Sequence, residues 1–145
     1  MNIENAKRAI AVMERIKHSD HEFDMNYWYG GAFGGPIPKS EEEALQCGTA
    51  ACFLGWVALA PEIPELFVNG EDEIEHHETG ECYIDALQEF MDISKNEAYA
   101  LCGISLSTCV EEELGLPRYL DHGDPQPQDV IDVLQFLINK YEAQQ

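Results

Sequence analysis

Cys47 and Cys52 are the residues best suited to nucleophilic chemistry, because both lie near the predicted start of a helix. The free N–H groups and the dipole of a helix N-terminus favour a thiolate, the reactive form of cysteine. Cys52 is therefore the candidate catalytic residue. Gln46, six positions earlier, matches the order of glutamine and nucleophile in papain-like proteases. A thiol protease also needs a histidine base, for which the downstream candidates are His76, His77 and His122.

The rest of the sequence argues against a reactive cysteine. Nearby carboxylates raise the pKa of a thiol, and the middle of this chain is rich in acids. In the alternative interpretation, Cys47 and Cys52 are small apolar residues that fill gaps in a central helix. The five cysteines have no C-x-x-C spacing, which predicts reduced thiols and no structural metal. They are Cys47, Cys52, Cys82, Cys102 and Cys109.

His76 and His77 are the other residues with chemical potential, since imidazole and carboxylate ligands suit zinc or manganese. The acids around them are Glu71, Asp72, Glu73, Glu75, Glu78 and Glu81. No H-E-x-x-H or EF-hand spacing is present. Because Asn69-Gly70 signals a turn and few apolar residues follow it, we expect an exposed acidic loop without a metal.

A long aromatic and glycine-rich segment, from 18 to 39, offers a possible contact surface. Aromatic residues dominate binding hot spots, and glycine allows a loop to adapt. We expect Phe23 and Trp28 to anchor this segment to the core, which leaves Tyr29 and Phe33 as candidate contact residues.

Apolar side chains recur at helical spacing along most of the chain, which predicts one mostly α-helical domain over residues 1–145. We expect about five helices and long loops. Alanines, Gly55 and large apolar residues fill positions 50–60, so this helix, with Thr49 as its N-cap, should be central. The other predicted helices are Asn2–Lys17, Tyr83–Asp92, one capped by Ser94, and Pro127–Tyr141.

The charge balance excludes several classes of protein. Eight Lys and Arg against 28 Asp and Glu give a net charge of −20, which opposes binding to DNA, RNA or anionic membranes. From Ser40 to Leu116 the only cation among the acids is Lys95, whereas the first helix carries four cations and should be mildly positive. No apolar run is long enough for a membrane span and no signal-like core opens the chain, so we expect a cytoplasmic protein without a cofactor.

The central segment from Cys47 to Ala58 resembles the core of a group of small uncharacterised bacterial and bacteriophage proteins, C-G-T-x-x-C-x-x-G-[HW]-x-A. Phe23-Asp24-Met25, the 90–101 segment and the Pro127–Tyr141 helix extend the resemblance over most of the chain. Met91-Asp92-Ile93 replaces the group's usual Leu-Gly-Leu, and the acidic insertion at 71–81 is a further departure. The resemblance implies a helical fold and carries no assigned activity.

These observations favour a non-enzymatic acidic protein that binds a basic protein partner. A phage-type inhibitor that occupies the nucleic-acid-binding surface of a host protein is one form of this hypothesis, because spaced carboxylates present charge much as phosphates do. In that case the host cytoplasm is the expected location. The alternatives are an acidic protein without mimicry and a cysteine- or metal-dependent hydrolase. No nucleophile, base and acid with suitable spacing supports the hydrolase.

Overall fold

A computed structural model describes residues 1–25, 37–47, 50–103, 114–115 and 125–145. Within these ranges, helices make up most of the regular structure, as the sequence predicts, and two short two-stranded sheets accompany them. The helices are α1 (Ile3–Lys17), α2 (Glu41–Cys47), α3 (Phe53–Leu59), α4 (Tyr83–Met91), α5 (Lys95–Leu101) and α6 (Pro127–Glu142). The strands are β1 (Glu22–Phe23), β2 (Ala50–Ala51), β3 (Leu66–Val68) and β4 (Ile74–His76).

The first helix packs along the last one and also contacts α3 and α4. Asn2 caps α1, because its side chain accepts a hydrogen bond of 3.1 Å from the backbone N–H of Asn5. The buried stripe of α1 consists of Ala6, Ala9, Val12, Met13 and Ile16. Because the buried residues form one apolar stripe, the predicted amphipathic helix is confirmed. The small alanines in this stripe allow neighbouring elements to approach closely.

The central helix is confirmed, but its predicted start is wrong. All seven residues of α3 are buried, and the helix begins at Phe53 with Cys52 in the N-cap position. Ala50 and Ala51 instead form β2, which pairs in parallel with β1. The short strand arises because the backbone of residues 22–24 supplies hydrogen-bond partners for an extended segment. The predicted N-cap, Thr49, lies outside the described residues.

The acidic segment after Asn69 contains β4, which forms a β-hairpin with β3, and this corrects the prediction of an exposed loop. In the antiparallel register Leu66 pairs with His76 and Val68 with Ile74. Ile74 is fully buried and anchors the hairpin to α4 and the core. Strands of three residues are too short to show the alternation that predicts a strand, so the sequence pattern is dominated by the outward-facing acids.

Helix ends in the second half of the chain follow the predicted capping chemistry. Ser94 and Glu97 form a capping box at the start of α5, and Pro127 occupies the first turn of α6. Asp92 ends α4 in the left-handed conformation, with φ 50° and ψ 58°. Glycine is favoured in this conformation, and aspartate is tolerated because its short polar side chain can form local hydrogen bonds. Helix α2 was not predicted.

Candidate binding surface

Cys52 lies in the protein core rather than at a reactive site. Its residue is 2% exposed, and burial raises the pKa of its thiol to about 11. The N–H groups of Leu54 and Gly55 at the start of α3 do favour the thiolate, as expected for a helix N-terminus, but burial outweighs them. The sequence predicts that nearby acids disfavour the thiolate, but Asp24 makes only a minor contribution to the raised pKa of Cys52. Cys52 is therefore a core residue and a poor nucleophile.

The structure places the two histidines in different surroundings, because His76 is the last residue of β4 and His77 lies in the turn that follows. His76 is buried, and its Nδ1 accepts a hydrogen bond of 3.4 Å from the backbone N–H of Thr79. His77 is exposed, and its ring meets that of Phe67 edge-on with 6.1 Å between centroids. Within the described ranges, no group of three His, Cys, Asp or Glu side chains is arranged to hold a metal.

A Ser19–His21–Glu41 array is present that sequence reasoning missed. The His21 Nδ1 contacts the Ser19 hydroxyl, and its Nε2 lies 3.0 Å from Glu41 Oε1. The order of residue types resembles a hydrolytic triad, but the Ser19 hydroxyl also has the Ile16 carbonyl 3.1 Å away as an acceptor. Arg15 holds both oxygens of Glu41, at 3.0 and 2.8 Å. These contacts fasten α2 to the end of α1, which is a structural role.

Two of the four cations of α1, the helix that the sequence predicts to be mildly positive, form ion pairs with acids of this chain. Arg8 makes a bidentate ion pair with Glu65, with N–O distances of 2.7 and 2.9 Å. The guanidinium of Arg15 pairs with Glu41 and with Glu62. Carboxylates that are distant in sequence therefore neutralise half of the cations of this helix. The charge pattern along the chain could not show this, because folding sets those pairings.

The six predicted acidic contact residues divide into three groups. Asp72 forms an ion pair with Lys39, so its charge is matched. Glu71 and Glu78 are exposed in the turns on either side of β4. Glu73, Glu75 and Glu81 surround Cys82 and are hereafter called the hairpin acids. Among the described residues, no cation forms an ion pair with any of the hairpin acids.

Backbone contacts within and next to the hairpin bring the three hairpin acids close to Cys82. Glu75 lies in β4 and bridges to Cys82, while the Glu81 carbonyl accepts a hydrogen bond of 2.8 Å from the His76 N–H. The side chain of Glu75 is oriented by Asn69, whose Nδ2 donates to it over 2.8 Å. The Cys82 Sγ lies 3.9 Å from Glu73 Oε2. Partial burial raises the pKa of the Cys82 thiol, and Glu73 and the other hairpin acids raise it further.

Alkylation of Cys82 tests this clustering. We expect slow reaction with neutral iodoacetamide near pH 8, and slower reaction with anionic iodoacetate, because the hairpin acids disfavour the thiolate and repel anions. Replacing Glu73, Glu75 and Glu81 by Gln together should speed both reactions and bring their rates closer. Site-resolved peptide mass mapping measures the rate at Cys82, while buried Cys52 and Cys102 should stay unmodified in the native protein.

The matched control variant is Glu89→Gln, Asp132→Asn and Glu142→Gln, which removes three exposed acids outside the hairpin. It should leave the rates at Cys82 close to those of the parent protein. Equal acceleration in both variants would mean that net charge, and not local clustering, controls this thiol.

The aromatic contact candidates, Tyr29 and Phe33, lie outside the described residues, as does Trp28, which we expect to anchor the segment to the core. Phe23 packs against the core, as predicted. Every helix in the described ranges is too short or too polar to cross a lipid bilayer. Comparison of the chain with protein-family models, with curated proteins and with solved structures gives no match.

Proposed function

We propose that this protein is a non-enzymatic acidic binding protein whose hairpin acids occupy a basic surface of a protein partner. The observation that supports the proposal is the clustering of Glu73, Glu75 and Glu81 near Cys82, next to a hairpin anchored by the buried Ile74. A carboxylate that is held in place, as Glu75 is by Asn69, loses little conformational freedom when it binds, so its charge contributes more to affinity than that of a flexible side chain.

The electrostatics of the chain suit this role. The net charge of −20 steers basic partners towards the protein and accelerates association. At least five of the eight Lys and Arg form ion pairs with acids of this chain, so few cations shield the hairpin. Carboxylates on a folded surface present negative charge much as phosphates do. A basic surface that binds nucleic acid is accordingly the kind of target that we propose, and a phage-type inhibitor of a host protein is one such case.

Two other functions receive less support. A cysteine hydrolase needs an accessible thiolate, and Cys52 is buried with a raised pKa. An acidic protein that does not mimic nucleic acid would have the same net charge. Its affinity for a basic peptide would depend on the number of acids and not on their positions. The position of the charge therefore separates that alternative from the proposed function.

Charge-matched variants make this comparison. The probe is a dye-labelled decalysine peptide, measured by fluorescence polarisation at low salt. Replacing Glu73, Glu75 and Glu81 by Gln should weaken binding roughly tenfold, because each lost charge pair is worth up to about 1 kcal/mol and tenfold is about 1.4 kcal/mol. Helical circular dichroism should stay unchanged. The control variant of Glu89, Asp132 and Glu142 should bind nearly as tightly as the parent protein.

Salt and nucleic acid complete the test. Binding to decalysine should fall as ionic strength shortens the Debye length from about 10 Å at 0.1 M to about 3 Å at 1 M. A labelled DNA duplex should not bind at any salt concentration. If both triple variants lose affinity equally, the acidic surface acts only through net charge and the proposed role of the hairpin is wrong.

A further inference from the structure

An apolar groove of about 480 Å³ is lined in part by Leu66 and Phe67 of β3, the strand that pairs with β4. It runs between the N-terminal end of α2 and the segment that follows α3. Its floor consists of Leu59, Ile63 and Leu66, which are at most 3% exposed, and one wall carries Pro64 and Phe67. A groove of this size and lining can accept a large apolar side chain.

The groove is continuous with the hairpin acids. Phe67 in β3 is directly opposite Glu75 in β4, so both side chains lie on the same face of the hairpin. The paired residues on the other face, Val68 and Ile74, are buried in the core. One outward face therefore presents an aromatic wall next to a carboxylate, and it joins the apolar groove to the acidic cluster.

The rim of the groove carries one exposed acid, Glu42, that forms no ion pair with a cation of the described residues. Glu42 is exposed at the start of α2 and lines the groove. The one lysine of the rim, Lys39, pairs with Asp72 and also donates to the Asn69 carbonyl over 2.7 Å, so its charge is matched within the chain. His77 completes the rim against Phe67. A neutral apolar segment would leave the carboxylates unpaired, whereas a basic segment complements both the groove and its edge.

We propose that the groove binds a large apolar side chain from a lysine- or arginine-rich segment of the partner, whose cations pair with Glu75, Glu73 and Glu42. This inference rests on the proposed function and specifies the partner: a basic segment with one apolar anchor. Aromatic anchors in well-packed pockets dominate many interfaces, while the surrounding charges set orientation and association rate. The same division is expected here between the groove and the hairpin acids.

Two peptides of equal charge test the inference. One is a lysine decapeptide with a central tryptophan, and the other has serine at that position. The parent protein should bind the tryptophan peptide at least roughly tenfold more tightly, as expected for an anchor in a pocket. High salt should weaken both peptides and preserve their ratio, because an apolar contact is not screened.

Variants of Phe67 locate the anchor site. Phe67→Ala should remove most of the preference for the tryptophan peptide and leave affinity for the serine peptide unchanged, while Phe67→Leu restores the preference. A cooperative unfolding transition in both variants establishes that the fold persists. Replacing the three hairpin acids by Gln should weaken both peptides equally.

Several results would overturn the inference. Equal affinity of the parent for both peptides would exclude an anchor pocket, although the dependence of binding on the hairpin acids would still stand. A tryptophan preference that survives Phe67→Ala would place the anchor elsewhere. If a neutral tryptophan peptide binds as tightly as the basic one, or if concentrated protein self-associates through Phe67, the occupant is not a basic partner segment. If replacing the three hairpin acids by Gln leaves the affinity for both peptides unchanged, the proposed function itself is contradicted.

Discussion

Replacing Trp56 by alanine should lower the free energy of unfolding by about 3–5 kcal/mol, the usual cost of deleting a large buried aromatic side chain. Trp56 is the largest fully buried side chain of the described core and lies in the middle of α3. Its indole N–H donates to the Glu22 carbonyl over 2.9 Å, and the ring of His21 meets it edge-on at 4.8 Å. The deletion removes all of these contacts and leaves a cavity.

A graded pair of variants separates the causes. Trp56→Phe keeps much of the apolar volume but leaves the Glu22 carbonyl without its donor, so we expect a smaller loss of about 1–3 kcal/mol. Urea denaturation followed by circular dichroism measures both variants. Because natural domains are stable by only about 5–15 kcal/mol, the alanine variant should be close to unfolding at 37 °C. If it melts like the parent protein, α3 is not the central helix.

Glu97 is the second site where a large effect is expected, because its carboxylate is buried and fully engaged. The residue is 1% exposed. Its Oε2 accepts hydrogen bonds from the Ser94 hydroxyl, the Ser94 N–H and the Tyr141 hydroxyl, at 2.8 to 2.9 Å. Lys140 Nζ lies 3.0 Å from Oε1. These contacts join the start of α5 to the last turns of α6.

Glu97→Gln should cost about 3 kcal/mol, since breaking one side of a buried ion pair leaves the other poorly compensated. The amide NH₂ would face the Lys140 ammonium, so two donors would oppose each other. The Lys140 side chain is 29% exposed and can turn towards water, so the loss of stability should be near the low end of the range for broken buried ion pairs. Adding Lys140→Met to Glu97→Gln should recover part of the loss, and a double-mutant cycle in urea measures that coupling.

The pH dependence gives an independent test of Glu97. Burial by itself raises the pKa of this carboxyl, but hydrogen bonds from Ser94, Lys140 and Tyr141 outweigh it, so the pKa lies below its ordinary value of 4.5. The carboxylate therefore stabilises the fold fully above pH 4.5, and this stabilisation is lost as the pH falls through the lower folded-state pKa. The difference in stability between the parent protein and Glu97→Gln should shrink over that range.

Tyr141 provides a spectroscopic measure of the same contact. Burial, followed by the Glu97 carboxylate, raises the pKa of the Tyr141 hydroxyl to about 12. Removing the negative charge in Glu97→Gln should lower it, as measured by difference absorbance of this tyrosine against a Tyr141→Phe reference. An unchanged titration would mean that Glu97 and Tyr141 are not in contact in solution.

The helical elements with local signals could be predicted from the sequence alone. The apolar stripe of α1, the Ser94 capping box and Pro127 at the start of α6 each act within a turn or two of the chain, so composition and spacing reveal them. The same holds for the buried central helix, because nearly every residue of α3 is apolar or small. Net charge is likewise a property of composition alone.

Tertiary structure decided the features that depend on distant partners. Ala50 and Ala51 form a strand only because residues 22–24 lie beside them, and no local pattern encodes that pairing. The carboxylates of Glu41 and Glu62 are acidic in sequence but neutralised in the fold, where Arg15 contacts both. Cys52 has the local setting of a reactive thiol, and burial among residues far along the chain removes that reactivity.

The candidate site shows the same division. The sequence predicts Glu73, Glu75 and Glu81, with three other acids of the same segment, as candidate contact residues, because the charge of each residue follows from its type alone. It did not predict that the buried Ile74 holds them on a hairpin, or that Phe67 and an apolar groove lie next to Glu75. Those relations arise from strand pairing and core packing, in which each residue is positioned by partners that are remote in sequence.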